Sequence, residues 1–153
     1  MPISAPRGIR NNNPCNLKDF GINWKGLSSP RSDADGFCVF SEPAYGIRAC
    51  AMDLLKDFNK DAQRTILELM QEFAPGKDSN PTKQYADYIA DNIRTRTGLM
   101  VGIETELDLN RFDVLYAFIE AVIKFENGQQ PYSKATITRG FVLAGVEPPK
   151  PKH

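Results

Sequence analysis

Histidine is nearly absent from this sequence: the single one, His153, is the last residue. Histidine is the side chain that most often serves as a general base at neutral pH and as a metal ligand. The acidic residues do not gather at metal-ligand spacing either. The sequence therefore supports neither a metal centre nor a cysteine–histidine nucleophile, and we expect no metal and no other cofactor.

The chain also lacks net charge, since it has 19 basic and 19 acidic residues. Without an overall positive field it has little to attract nucleic acid or an anionic membrane. The one local basic cluster, Arg94-Thr-Arg-Thr97, is more simply the polar end of a helix, which argues against a nucleic-acid-binding protein. No apolar run is long enough to span a bilayer, and the first residues lack the apolar core of a signal peptide. We expect synthesis in the cytoplasm without membrane insertion.

Cysteine is scarce, and its three residues form neither an even disulfide set nor a metal-spaced cluster: Cys15, Cys38 and Cys50. We expect small half-buried thiols in a reducing compartment. The alternative is a disulfide between Cys38 and Cys50.

The pattern of apolar residues predicts a mainly α protein with at most a short β element. Residues 1–36, rich in Asn, Gly, Pro and Ser, indicate a structured loop region, and Phe37–Phe40 is a strand candidate. The five predicted helices run from Glu42-Pro43 to Phe58, from Thr65 to Phe73 with a stop at Ala74-Pro75-Gly76, from Asn80-Pro81 to near Gly98, from an Asp108 cap to Glu126, and from Ser133 to near Gly145. At 153 residues the chain suits one domain, which we place at residues 1–147, followed by a disordered Pro/Lys tail at 148–153.

Glu126 is the most informative residue, because it ends a strongly apolar helix just before the stop signal Asn127-Gly128. At roughly 100° per residue it falls on the same stripe as the apolar residues Phe112, Leu115, Ile119, Val122 and Ile123. A carboxyl group that is desolvated at the negative end of a helix holds its proton more tightly. The pattern thus predicts a general acid, with the alternative that the stripe frays and Glu126 turns to solvent.

The opening segment Arg7-Gly-Ile-Arg-Asn-Asn-Asn-Pro-Cys-Asn-Leu17 predicts a tight polar loop fixed by its own Asn side chains. It is followed by Trp24-Lys-Gly26, by Phe37-Cys-Val-Phe40 and by Tyr45-Gly-Ile-Arg-Ala49. In this order the motifs resemble a family of phage and prophage proteins that open with Arg-Gly-Ile-Arg-Asn-Asn-Asn-Pro-Gly-Asn. The resemblance covers roughly residues 7–90. Cys15 departs from the usual Gly or Leu, and Phe73 stands where Trp often precedes Ala-Pro. The family is often described as virion structural, and some members are thought to attack peptidoglycan.

A more distant resemblance is to bacterial glucosaminidases of the lysozyme superfamily, in which the catalytic Glu ends a helix just before an Asn-rich loop. Here the helix-ending carboxyl group, Glu126, comes late in the chain instead. The motif order favours a circularly permuted lysozyme-like domain, with Glu126 brought beside the loop Asn11–Asn16. Such a permutation is physically cheap because chain termini often lie close together.

These resemblances imply cleavage of the peptidoglycan glycan strand, as a muramidase or a lytic transglycosylase, with Glu126 as general acid. The candidates for a second carboxylate are Asp33, Asp35 and Glu42. The candidates for substrate binding are Asn12, Asn13, Asn16, Trp24, Tyr45, Arg48, Tyr85 and Tyr132. Action at the cell wall then needs a holin, a virion or a secretion apparatus for delivery. The alternative is a virion structural or wall-binding protein without activity.

Overall fold

The computed structural model describes residues 5–73 and 82–150. These residues form a mainly helical protein with a small two-stranded sheet, which confirms the predicted mainly α class. The helices are α1 (Arg7–Arg10), α2 (Pro43–Asn59), α3 (Ile66–Phe73), α4 (Thr82–Thr97), α5 (Phe112–Asn127) and α6 (Lys134–Leu143), and the strands are β1 (Leu27–Ser32) and β2 (Cys38–Phe40). Within the described ranges, every helix is too short or too polar to cross a membrane.

Helix α5 lies at the centre of the core because it is apolar around most of its circumference. Its buried side chains belong to Val114, Leu115, Ala117, Phe118, Ile119, Ala121, Val122, Ile123 and Asn127. Helix α4 packs along α5, and α2 packs against α6. Gly128 adopts a left-handed φ of 71° and ends α5, which confirms the predicted stop and places Glu126 in the last turn.

The predicted N-terminal cap is present at α3 but not at α5. Thr65 and Glu68 form a capping box, in which the Thr65 backbone N–H donates to Glu68 Oε1 (3.1 Å) and the Glu68 N–H donates to Thr65 Oγ1 (3.2 Å). The prediction that Asp108 caps α5 is wrong. Its side chain accepts a hydrogen bond from the backbone N–H of Asn110 (3.0 Å), a local Asx turn, and Arg111 occupies the N-cap position.

The expectation of a loop throughout residues 1–36 is also corrected, since α1 and β1 lie inside that region. β1 pairs antiparallel with β2, with Leu27 opposite Phe40 and Ser32 opposite Cys38. The sequence of β1, Leu-Ser-Ser-Pro-Arg-Ser, has neither β-branched nor aromatic residues to signal a strand. Its pairing with the predicted strand at Cys38–Phe40 is what makes it extended.

Three sequence predictions lie wholly or partly outside the described residues. They are the helix stop at Ala74-Pro75-Gly76, the helix start at Asn80-Pro81, and the tail at 148–153, of which 151–153 are not described.

Candidate functional site

The carboxyl group of Glu126 is held by two donors from distant parts of the chain. The Asn16 side-chain amide donates to Oε1 at 2.9 Å, and the Tyr85 hydroxyl donates to Oε2 at 2.7 Å. Glu126 itself is half-buried at the end of α5. The proximity expected between Glu126 and the Asn-rich loop is therefore present, with Asn16 110 residues away in sequence.

Tyr85 supports the carboxyl group from inside the core. Its ring is 1% exposed and stacks on Phe125, with the ring centroids 4.0 Å apart. Burial, and then the charge of Glu126, raises the pKa of Tyr85 well above its ordinary value. The hydroxyl therefore keeps its proton and acts as a donor. Because the ring is buried, the predicted stacking of Tyr85 on a sugar is corrected: it contacts Glu126 instead.

The Asn run shapes the loop rather than facing outward. Asn12 donates to the Phe40 carbonyl (3.0 Å), and Asn13 donates to the carbonyls of Leu17 (2.9 Å) and Cys38 (3.0 Å). Asn13 is fully buried. The predicted substrate contacts of Asn12 and Asn13 are therefore replaced by bonds to the backbone of the loop and of β2.

The loop is also fastened to the helices. Asn127 donates to the Pro14 carbonyl at 2.8 Å, and Cys15 forms a disulfide with Cys50 of α2. This pairing corrects the expectation of free thiols, and it decides against the alternative of a Cys38–Cys50 bridge, because Cys38 is free and buried. Sequence spacing offers no guide here, because the fold decides which cysteines meet. The disulfide stands next to Asn16 and so secures the residue that binds Glu126.

A cleft of about 400 Å³ opens beside Glu126. One wall is the segment 15–24, which contributes Cys15, Asn16, Leu17, Lys18, Phe20, Ile22 and Trp24. A second part of the lining comes from α2 and α3 and contributes Asp53, Lys56, Asp57, Glu72 and Phe73. The lining from the segment 15–24 is thus mainly apolar and the lining from α2 and α3 mainly acidic, and Glu126 completes it.

The apolar rim is held by an arginine clamp. Arg31 donates from Nε and Nη2 to the Asp19 carboxylate (2.8 and 2.9 Å) and also bonds the Ile22 carbonyl (2.6 Å) and the Asn23 side chain (3.0 Å). These bonds fix a loop whose apolar side chains stay in water: Phe20 is 81% and Ile22 49% exposed. Apolar groups held in solvent beside a cleft are typical of a contact surface for a ligand.

The three acidic residues predicted to provide a second carboxylate lie outside the cleft lining, which corrects that expectation. Asp33 accepts bonds from the Asn11 side chain (2.8 Å) and the Phe37 N–H (3.0 Å), and these bonds, led by that of Phe37, lower its pKa. Asp35 pairs with an Arg7 nitrogen at 3.2 Å. Glu42 is exposed and pairs with Arg139 at 3.3 Å. All three have structural partners, which the sequence pattern does not reveal.

The acidic residues that do line the cleft were missed. Asp53 and Asp57 lie on one face of α2, at a helical spacing of four residues, and a search for paired carboxylates on helices would have found them. Burial, together with the charge of Asp53, raises the pKa of Asp57 to about 6 despite the opposing Lys56. Burial also raises the pKa of Asp53, opposed by Lys56 and reinforced by Glu72.

Of the remaining substrate-binding candidates, one lines the cleft and three do not. Trp24 lines the cleft, as expected of a groove residue. Arg48 donates to the Leu143 carbonyl (3.2 Å) and ties α2 to α6, and the Tyr45 ring lies 5.8 Å from the Arg139 guanidinium. Tyr132 packs against the core with a buried hydroxyl, and burial raises its pKa to about 12. None of these last three is in the described cleft lining.

Fold and site together define a mainly helical protein with a helix-end glutamate in a carboxyl-lined cleft. No protein-family model matches the chain. The chain is 36% identical over 141 residues to Protein P5 of Pseudoalteromonas phage PM2, a match that covers 90% of this chain and 81% of the phage protein. The chain belongs to the family of this phage protein, which confirms the bacteriophage part of the resemblance seen in the sequence.

Proposed function

We propose that this protein cleaves the glycan strand of peptidoglycan, with Glu126 as the general acid. The observation that carries the proposal is the setting of Glu126. Its carboxyl group lines an open cleft, while both of its oxygens are positioned by donors from Asn16 and Tyr85. A carboxyl group held in one orientation at a cleft is what proton transfer to a bound substrate requires.

Glu126 would protonate the glycosidic oxygen while the bond to the anomeric carbon breaks toward an oxocarbenium-like state. Tyr85 and Asn16 then hold the carboxylate that remains, since both are donors. The hydrogen bonds prevent the side chain from rotating away from the bond it protonates. Positioning of this kind is a large part of enzymatic rate acceleration.

The cleft suits a polymer of amino sugars. Trp24, Phe20 and Ile22 offer apolar surface on which sugar faces can rest, and the carboxylates of the lining can accept hydrogen bonds from hydroxyl and amide groups. Because Phe73 also lines the cleft, the departure from the usual Trp at this position changes a wall of the groove. The partner would be peptidoglycan, reached at the bacterial cell wall after delivery by a virion, a holin or a secretion apparatus.

We also propose that the domain is lysozyme-like by circular permutation. The hydrogen bond between Asn16 and Glu126 supports this, because it joins an early Asn-rich loop to a late helix-end Glu. The permuted order would leave the loop and the acid in the same spatial relation.

The second candidate function is a virion structural or wall-binding protein without activity. One observation favours it: both hydrogen bonds of Glu126 also serve as structural links, joining the N-terminal loop and α4 to the end of α5. The phage relative fits this alternative equally well.

The test compares wild type and Glu126→Gln for release of dye-labelled fragments from purified peptidoglycan. Glutamine keeps the shape and can still accept a hydrogen bond, but it cannot donate an acidic proton. Glu120→Gln is the matched control, because Glu120 lies on the same helix, is paired with Arg96 (2.7 Å) and does not belong to the cleft lining. We expect a loss of roughly 10²-fold or more for Glu126→Gln and none for Glu120→Gln.

Thermal melts by circular dichroism accompany the assay. Lost release with an unchanged melt establishes a glycosidase built around Glu126. Absence of release by wild type, across pH and several wall types, rejects the enzyme and leaves the structural or wall-binding protein.

A further inference from the structure

Helix α2 contributes two carboxyl groups to the same cleft, those of Asp53 and Asp57. Cys50, Asp53 and Asp57 share one face of this helix, and Cys50 is the residue to which the loop is bonded. At about 1.5 Å of rise per residue, Asp53 lies roughly 4.5 Å and Asp57 roughly 10.5 Å along the axis from Cys50. Asp53 is therefore the acidic residue of α2 nearest the point where the loop that binds Glu126 is fastened.

Asp53 also differs from its acidic neighbours in its partners. Asp57 is 2% exposed and its carboxylate lies 3.5 Å from Lys56 Nζ. Asp53 is half-buried, and within residues 5–73 and 82–150 its carboxylate has neither a hydrogen bond nor an ion pair within 4.0 Å. It is therefore the cleft carboxylate of α2 that is free to bind a ligand.

We propose that Asp53 is the general base of the reaction and accepts a proton from the attacking water. This inference rests on the proposed glycosidase function. Glu126 gives its proton to the glycosidic oxygen, and the electron pair of the breaking bond stays on that oxygen. The water oxygen bonds to the anomeric carbon from the opposite face, and its proton passes to Asp53. The products are two shorter glycans, one with a new reducing end of inverted configuration.

The surroundings of Asp53 suit a base. Burial raises its pKa, and Glu72 acts in the same direction against Lys56, so its carboxylate binds a proton more readily than an exposed aspartate does. Asp53 and Glu126 line the same cleft from two different helices, and the general base of an inverting glycosidase has to leave room for a water molecule beside the sugar.

The experiment measures cleavage of purified peptidoglycan by wild type, Asp53→Asn and Asp53→Ala, with product masses determined by mass spectrometry. Asp61→Asn is the control: the Asp61 carboxylate lies 3.7 Å from Lys56 Nζ, but Asp61 is exposed and follows the end of α2. We expect Asp53→Asn to lose roughly 10²-fold or more of its activity, with the melting temperature unchanged or raised because a repelling charge is removed. Asp61→Asn should keep full activity.

Azide provides a readout that a purely structural role would not move. It attacks without needing a base, so it should restore cleavage by Asp53→Ala and give a glycosyl azide product, while leaving Glu126→Gln without rescue on peptidoglycan. Full activity of Asp53→Asn overturns the inference and leaves the proposed function intact. Wild-type products that consist of 1,6-anhydro sugars also overturn the inference and leave the proposed function intact, because no water is activated in forming them. An inactive wild type rejects both.

Discussion

At the scale of single residues, the most informative arrangement is the trio of Asn16, Tyr85 and Glu126. Two of its members, Asn16 and Tyr85, were predicted to touch substrate; both bind the predicted acid, and Asn16 also lines the cleft. Each donor comes from a buried or half-buried position, so losing one leaves a carboxylate oxygen without its partner in a place where water replaces it poorly.

The hydroxyl of Tyr85 can be removed without changing the packing of its ring. Tyr85→Phe keeps the stack on Phe125 and deletes the 2.7 Å bond to Glu126. Because leaving a buried hydrogen-bonding group without its partner costs about 1–3 kcal/mol, we expect the free energy of unfolding to fall by that amount, measured in urea. The proposed activity should fall roughly fivefold to a hundredfold. Tyr88→Phe is the control, since Tyr88 is on the same helix but 38% exposed; equal effects of the two substitutions would contradict the role given to Tyr85.

At the scale of secondary-structure elements, α2 has an unusual face. Its centre is core, formed by residues such as Ile47, Cys50 and Leu54, while the next turns place Asp53 and Asp57 against the cleft. A helix made only for stability would not bury Asp57 beside another carboxylate. Burial and the charge of Asp53 favour the protonated form of Asp57, while Lys56 opposes them.

Asp57 therefore makes stability depend on pH in a defined direction. Its pKa is about 6 in the fold against an ordinary 3.8, so the folded protein binds the proton more tightly than the unfolded chain. Stability is then lost as the pH rises from about 4 to about 6. Asp57→Asn should leave the free energy of unfolding nearly unchanged at pH 4 and raise it by up to about 3 kcal/mol at pH 8.

Urea unfolding at both pH values measures this difference, and Asp61→Asn is again the matched control because it shares Lys56 as a neighbour. A decrease at pH 8 for Asp57→Asn would show that the attraction of Lys56 outweighs burial. In that case the pKa of Asp57 is lowered by folding, and stability rises rather than falls between pH 4 and pH 6.

At the scale of the whole molecule, the site depends on joining the N-terminal loop to the helical core. The loop reaches α5 through Asn16 and Asn127 and reaches α2 through the Cys15–Cys50 disulfide. The disulfide spans 35 residues, a segment that includes the whole two-stranded sheet. It thus restricts the unfolded chain and keeps one wall of the cleft against the other.

Removing this bridge should destabilise the protein and loosen the site together. For a loop of this length the chain-entropy model gives a contribution of about 4 kcal/mol. We expect wild type to lose stability and cleavage activity in dithiothreitol, whereas the Cys15→Ala/Cys50→Ala double variant starts lower and does not respond. Cys38→Ala, which alters the free thiol, should respond to the reductant as wild type does. Melts with and without reductant provide the measurement, and a double variant that still responds would exclude this pairing.

The parts of the fold that the sequence predicts correctly are governed by neighbours in the chain. The capping box at Thr65 and Glu68 and the stop at Gly128 depend on bonds within a few residues, so the pattern reveals them. Asp108 fails as a cap because a competing local turn captures its side chain. The sequence does not predict β1, because the extended conformation of this strand depends on pairing with β2 rather than on its own residues.

The sequence by itself determined the mainly helical class, the apolar helix that forms the core, and the position of Glu126 at its end. Only the tertiary structure decided which groups Glu126 meets, which two cysteines pair, and that Asp53 and Asp57, rather than Asp33, Asp35 and Glu42, line the cleft. The reason is physical. Helix periodicity and capping depend on residues that are close in sequence, whereas the role of a side chain depends on which distant group lies within hydrogen-bonding or covalent distance of it. Asn16 and Glu126, 110 residues apart, become neighbours only when the chain folds.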